Sequence, residues 1–187
     1  MSSLPWILGS KSPRRHQLME MANIPFEIKT KDTEEIYPND LLAEDIPVYL
    51  AELKARDIAL DFHDRTILSA DTIVLLQGKV LGKPQHREEA YNMLKTLSGQ
   101  THHVITGVCL LAPNSVQCFS DTTKVHFHTL SDQEINYYLD HYKPYDKAGA
   151  YAIQEWIGAV AIASIEGCFY NVMGLPISRV YALYAKK

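Results

Sequence analysis

LPWILGSKSPRRHQL, residues 4–18, is the stretch whose reading decides the fold. An apolar run, Leu4–Leu8, breaks at Gly9, passes Ser10, Lys11 and Ser12, and enters a helical pattern at Pro13. Ser12 fits an N-cap, and Pro13 fits the first helical position, where no backbone N–H is needed. Arg14 and Arg15 then fall in the first turn. Cations are disfavoured there, because free N–H groups and the macrodipole already make that end positive. Two arginines and Lys11 at such an end point to an anion that all three face. Free N–H groups, hydroxyls and guanidinium forks suit a phosphate chain. A basic, solvated helix start is the other reading of the segment taken alone.

Outward from this segment, strand and helix signals alternate. Pro25–Lys29 reads as a strand, and residues 31–45, polar and acidic with Pro38 and Asn39, as a loop. Ile46–Leu60 carries Ile46, Leu50, Leu53 and Ile58 at helical spacing. Thr66–Leu76 is rich in β-branched residues and nearly continuous in apolar character, as in a buried strand. Gln77-Gly78-Lys79 reads as a hairpin turn into Val80–Leu81. His86–Leu97 reads as a helix stopped by Gly99. Val104–Leu111 and Val116–Phe127 read as strands joined by Pro113-Asn114-Ser115. Val125 and Phe127 alternate with Lys124, His126 and His128, which predicts one wet face. Ser131 and Glu134 form a capping box for a helix to Tyr142. Asp146–Tyr151 is a glycine-bearing loop, Ile157–Ile165 reads as a strand, and Pro176–Ala185 as a final helix. The pattern predicts an α/β domain with a mixed sheet.

The 187 residues suit one domain, or one with a small subdomain. No apolar run is long enough to span a bilayer, and the N-terminus lacks the features of a signal peptide. A soluble, cytoplasmic protein is expected, with no membrane partner. The net charge of -4 argues against a dedicated nucleic-acid binder but not against a nucleotide, which needs only local positive charge. Cys109, Cys118 and Cys168 form no CxxC and read as reduced, partly buried thiols. The pairs His102–His103 and His126–His128 have no partners at metal-site spacing. Adjacent strand residues face opposite sides, so His102 and His103 cannot easily share a ligand.

Asp71 interrupts an apolar strand between Ala70 and Thr72. A carboxylate there costs several kcal/mol unless it is paired, hydrogen-bonded or bound to metal. It is either an outward-turned strand-end residue or a metal ligand or general base at the mouth of the sheet. Lys83 is presented from a stiff turn, Gly82-Lys83-Pro84, although a solvated turn lysine is the commoner case. Lys54, in an apolar and alanine-rich helix, snorkels by period from the core edge. Glu34 and Glu35 either hold a divalent metal or solvate a loop. Gln154 offers a donor and an acceptor side by side, which match the N3–H and neighbouring carbonyl of uracil or thymine. A Glu there would favour the two donors of a guanine edge. A loop glutamine capping backbone groups is the plain alternative.

In order along the chain stand Ser10-x-Ser12-Pro13-Arg14-Arg15, Glu34-Glu35, Lys54-Ala55, Ser69-Ala70-Asp71-Thr72-Ile73-Val74, Gly82-Lys83-Pro84, Leu97-Ser98-Gly99-x-Thr101-His102, Thr106-Gly107-Val108 and Asp146-Lys147-Ala148-Gly149-Ala150-Tyr151. Together, over nearly the whole chain, they resemble the Maf family of nucleoside triphosphate pyrophosphatases. Gln154 resembles the branch assigned to dTTP and UTP, called YhdE-like. A sister branch, assigned to 7-methyl-GTP, carries an acidic residue near this point. One departure is Lys11, where the family usually has a small residue between the serines. A long cation there would contact phosphate or narrow the mouth.

The resemblance implies one Maf-like domain over residues 1–187, with a twisted mixed sheet flanked by helices, similar to inosine triphosphate pyrophosphatases. It implies a cytoplasmic hydrolase that converts a nucleoside triphosphate to monophosphate and pyrophosphate with Mg²⁺ or Mn²⁺. Asp71 would accept the proton, with Arg14, Thr72 and Gln154 as specificity positions. Ser10, Arg14, Arg15, Lys54 and Lys83 would neutralise the triphosphate, and Glu35 and Asp71 would hold the metal, which suits hard ions and a site without histidine. A homodimer fits this reading. Two rivals are a sanitiser of modified nucleotides and a nucleotide-sensing regulator of cell division.

Overall fold

The computed structural model describes residues 4–186. The elements run β1 (Trp6–Leu8), α1 (Pro13–Met21), β2 (Phe26–Ile28), α2 (Ile46–Ala59), β3 (Ile67–Leu76), β4 (Lys79–Leu81), α3 (Arg87–Leu97), β5 (Thr101–Ala112), β6 (Ser115–Phe127), α4 (Asp132–Tyr142), α5 (Trp156–Ala161), β7 (Ile162–Glu166), α6 (Phe169–Met173) and α7 (Ile177–Tyr184). A single 3₁₀ turn, Ala148–Ala150, lies between α4 and α5. The strands form one mixed sheet in the order β2-β1-β3-β5-β6-β7, with β4 paired to β3. β1 runs parallel to β2 and β3, with Ile7 opposite Glu27 on one side and Ile67 on the other. β4 and β7 are antiparallel to β3 and β6.

The chain divides into two compact units. One runs through Asp71 and takes in Thr106–Asp121 and the segment from Gly174 onward. The other comprises Thr72–Ile105 and Thr122–Met173. Each has its own apolar core. In the first, Ile7 and Ile67 from neighbouring strands meet Ala51, Ala55 and Ile58 from α2. The small Ala51 and Ala55 let α2 lie close. At Gly107 a Cβ would stand 2.1 Å from the Pro47 carbonyl carbon at the start of α2, so only glycine fits there. In the second, Leu94 and Leu97 of α3 and Ile135 and Leu139 of α4 pack with Val125 and Phe127 of β6.

Local signals were realised where their chemistry is local. Ser131 Oγ accepts the Glu134 N–H, and the Glu134 carboxylate accepts the Ser131 N–H at 2.7 Å, completing the capping box. Val125 and Phe127 are buried while Lys124 and His128 are exposed. Two expectations needed correction. Ser12 occupies the N-cap of α1, but its side chain makes no capping bond. Ile157–Ile165 is not one strand: it opens as α5 and becomes β7 only at Ile162. An apolar run does not reveal its own period, and burial of Ile157 and Ala161, one turn apart, selects the helix. The cysteines are free thiols, as expected, and two of them meet. The Cys118 thiol donates to Cys109 Sγ at 2.7 Å across the β5–β6 turn, and burial raises both thiol pKa values. Among the described residues, no helix is long and apolar enough to cross a membrane.

Candidate active site

In the first unit, β1 ends at the Gly9–Ser12 loop, and α1 begins immediately beyond it. Ser10 is buried, and its Oγ accepts the Ser12 N–H at 3.2 Å and an Arg15 Nη1 proton at 3.3 Å. Arg15 is tied to backbone carbonyls. Its Nε donates to the Gly174 carbonyl and its Nη1 to the Ala70 carbonyl, both at 2.7 Å. Burial pushes its pKa down to about 10, against the opposing pull of Asp71. Lys11 turns to Asp32 at 2.8 Å on the exposed surface. Lys11 and Arg15 are thus engaged by groups of the protein itself. Arg14 is the one of the three cations whose side chain has no hydrogen-bond or ion-pair partner among the described residues.

β3 explains itself through its interruption. Eight of its ten residues are buried, and the two that are not are Asp71 and Thr72. The Asp71 carboxylate is paired: Lys54 Nζ lies 2.7 Å from Asp71 Oδ1 and also 2.7 Å from Glu35 Oε1. Lys54 reaches this position because Ala51 and Ala55 face the core of the unit and leave its long stem at the edge of α2. One ammonium thus sits between two carboxylates, 19% exposed against 15% for Asp71 and 51% for Glu35. Glu34 is exposed and does not join them. The two carboxylates are oxygen donors of the class hard divalent cations take, and the Lys54 ammonium lies between them. Among the described residues no group of three or more potential ligands gathers. Two carboxylates are what a Mg²⁺-type ion takes from protein when water and substrate phosphates complete its shell.

In the second unit, Lys83 is exposed and has no side-chain partner among the described residues. Its turn is held by the Gly149 N–H, which donates to the Gly82 carbonyl at 3.0 Å. Gly149 is required there: its φ is +67°, and a Cβ would stand 2.9 Å from Val74 Cγ2. Ala150 follows with φ 59°, a strained conformation for alanine that tight packing maintains. Tyr151 is buried, with its hydroxyl 2.7 Å from His102 Nε2. Burial pushes the His102 pKa down to about 3, so this imidazole is neutral. It is a packed core group with edge-on ring contacts to Phe127 and Tyr151. Gln154 is exposed, and its amide has no partner among the described residues.

Sequence reasoning passed over Lys147, Glu155 and Tyr138. Lys147 is buried, with Nζ 2.7 Å from Asp146 Oδ1 and 3.5 Å from Glu155 Oε1. The Tyr138 hydroxyl donates to Glu155 Oε2 and accepts the Ala152 N–H at 3.2 Å. Lys147 stands inside the quoted DKAGAY motif, a signal that pointed to it. Nothing local marks Tyr138 or Glu155.

A family model described as "Maf-like protein" matches residues 5–187. A dTTP/UTP pyrophosphatase of Porphyromonas gingivalis is 51% identical over 179 residues, which covers 94% of this chain and 90% of that protein. A dTTP/UTP pyrophosphatase of Flavobacterium johnsoniae is 50% identical over 176 residues, covering 94% and 91%. Among solved structures, the Staphylococcus aureus Ham1 protein aligns over 98% of this chain and 100% of its own, with a TM-score of 0.58 at 13% identity. A HAM1 protein from Coxiella burnetii does so over the same shares at 0.54 and 14%. These two are alike in fold.

Proposed function

We propose a function from one fact: the chain belongs to the Maf family. It is a nucleoside triphosphate pyrophosphatase that hydrolyses dTTP and UTP at the α,β-phosphoanhydride, yielding the nucleoside monophosphate and pyrophosphate. The observation that carries the chemistry is the Glu35–Lys54–Asp71 cluster. The base preference follows the names of relatives near 50% identity. Residues 1–187 act as one such domain, in the cytoplasm.

In this reading Asp71 accepts the proton of the attacking water, and Lys54, 2.7 Å from its carboxylate, holds it in place. Arg14 and Lys83, whose charges are uncommitted, meet the triphosphate. Arg15 adds positive charge and, tied to the Ala70 and Gly174 carbonyls, fixes Ser10 for phosphate contact. Negative charge building on the departing pyrophosphate is met by these lysines and arginines. Glu35 and Asp71 would hold Mg²⁺ or Mn²⁺, which would supply Lewis-acid polarisation of phosphate oxygens. Thr72, next to Asp71, and Gln154 tune specificity, with the Gln154 amide pairing to the N3–H and a carbonyl of the pyrimidine.

The test is a panel of dTTP, UTP, CTP and GTP with Mg²⁺ or Mn²⁺, with products separated as monophosphate and pyrophosphate. Release of pyrophosphate from dTTP and UTP ahead of the purine is the expected result. Tight binding of dTTP without product refutes the enzyme reading.

A further inference from the structure

Gln154 is presented by a short segment that is held on both flanks. On one side, Ala152 donates its N–H to the Tyr138 hydroxyl at 3.2 Å. On the other, the carboxylate of Glu155, the next residue in the chain, accepts the proton of that same hydroxyl. Tyr138 is fully buried on α4 and cannot easily shift. The second oxygen of Glu155 faces Lys147 at 3.5 Å, and Lys147 is only 11% exposed. One carboxylate therefore joins α4, the Lys147 ammonium and the backbone beside Gln154.

Glu155 stands at the N-cap of α5, with φ -95° and ψ 178°, and its side chain makes no capping bond. The short side chains of Asp, Asn, Ser and Thr ordinarily cap a helix by accepting an N–H of the first turn. Here both oxygens of Glu155 point away from the helix, to Tyr138 and Lys147. The side chain of Gln154, by contrast, is exposed and has no partner among the described residues.

We propose that Glu155 is the positioning residue for base recognition: by holding the Tyr138 hydroxyl and the Lys147 ammonium, it sets where the Gln154 amide is presented. The inference rests on the proposed role of Gln154 as reader of the pyrimidine edge. An amide that must make two hydrogen bonds at once tolerates little displacement, because hydrogen bonds weaken steeply away from their preferred distance and angle. Lys147 contributes through charge, since its ammonium has two carboxylates to answer, Asp146 and Glu155.

The experiment is a double-mutant cycle read on UTP hydrolysis, with melting temperatures recorded for every variant. Glu155→Ala should raise the KM for UTP about tenfold with kcat nearly unchanged, because binding geometry is lost and the chemistry is not. Glu155→Gln, which keeps an acceptor for Tyr138, should restore most of the loss. Tyr138→Phe cuts the same link from the other side and should reproduce it, which gives an independent route if Glu155→Ala folds poorly. In a Gln154→Ala background, Glu155→Ala should add less than about twofold, because two residues that act through one contact are not additive. The same tenfold effect in both backgrounds overturns the proposal, as does a lower melting temperature with an unchanged KM. If Gln154→Ala alone leaves the KM for UTP unchanged, the base-reading role itself has failed, and the inference falls with it. A Gln154 effect without a Glu155 effect refutes the inference alone.

Discussion

Asp71→Asn should abolish the chemistry and leave the fold nearly intact. The substitution preserves size and removes one negative charge and one basic oxygen. Loss of a general base typically costs about 10²–10⁴ in rate, or about 3–5 kcal/mol in the barrier. The cost to stability works out smaller. Breaking a fully buried ion pair by removing one partner can cost about 3–5 kcal/mol, because the other charge is left stranded. Lys54 is not stranded here: Glu35 remains at 2.7 Å, and 19% of the lysine side chain still meets solvent. The penalty therefore falls towards the range of partly exposed pairs, about 1 kcal/mol. For a chain of this length that corresponds to a melting temperature lower by roughly 2–4 °C. The assay is pyrophosphate release from UTP with Mg²⁺ or Mn²⁺, alongside a thermal melt of the same preparation. Turnover within tenfold of the unmodified protein refutes Asp71 as the base. A collapse of the melting temperature by tens of degrees refutes the argument that Glu35 compensates Lys54.

Arg14→Ala and Lys83→Ala should each reduce kcat/KM for triphosphates by about tenfold to a hundredfold, the worth of a charged hydrogen bond of roughly 1.5–3 kcal/mol, with melting temperature unchanged. Arg15→Ala should instead melt several degrees earlier, because it leaves the Ala70 and Gly174 carbonyls without their donor; a stable Arg15→Ala protein contradicts its anchoring role. Activity should require added divalent metal and vanish with EDTA, and full turnover in metal-free buffer counts against Glu35 and Asp71 as ligands. Gln154→Glu should lower the ratio of kcat/KM for UTP over GTP by roughly tenfold to a hundredfold, since the carboxylate has no donor for the pyrimidine carbonyl. Acid should destabilise the fold through His102, whose pKa in the folded state, about 3, lies below its unfolded value. Between about pH 6.5 and 3 the unfolded chain binds this proton and the folded one does not. The His102 contribution is therefore fully present above pH 6.5 and is lost as pH falls, at up to about 1.4 kcal/mol per pH unit. Denaturant midpoints at pH 7, 6 and 5 should show this slope, and His102→Gln should flatten it.

The sequence by itself determined what depends on neighbours along the chain. The break after Leu8, Pro13 at the first helical position, the Ser131–Glu134 capping box and the alternation around Val125 and Phe127 are all effects within a few residues, and all appear in the structure. The ordered motifs carried the family for the same reason: they are local strings read in series. Tertiary structure decided the partners. Arg14 and Arg15 are adjacent and alike in sequence, yet only the fold sends Arg15 to a carbonyl 159 residues away and leaves Arg14 uncommitted. Lys54 was legible as a core-edge lysine, but its two carboxylates come from a loop and a strand on either side of it in sequence. The Ile157–Ile165 run was apolar throughout, and only burial of Ile157 and Ala161 chose its period. Tyr138 and Glu155 carried no local sign, because a hydrogen bond between a helix and a distant loop depends on how they pack. Periodicity reports which face of an element is apolar; what that face meets depends on strand register and helix placement, which are properties of the whole chain.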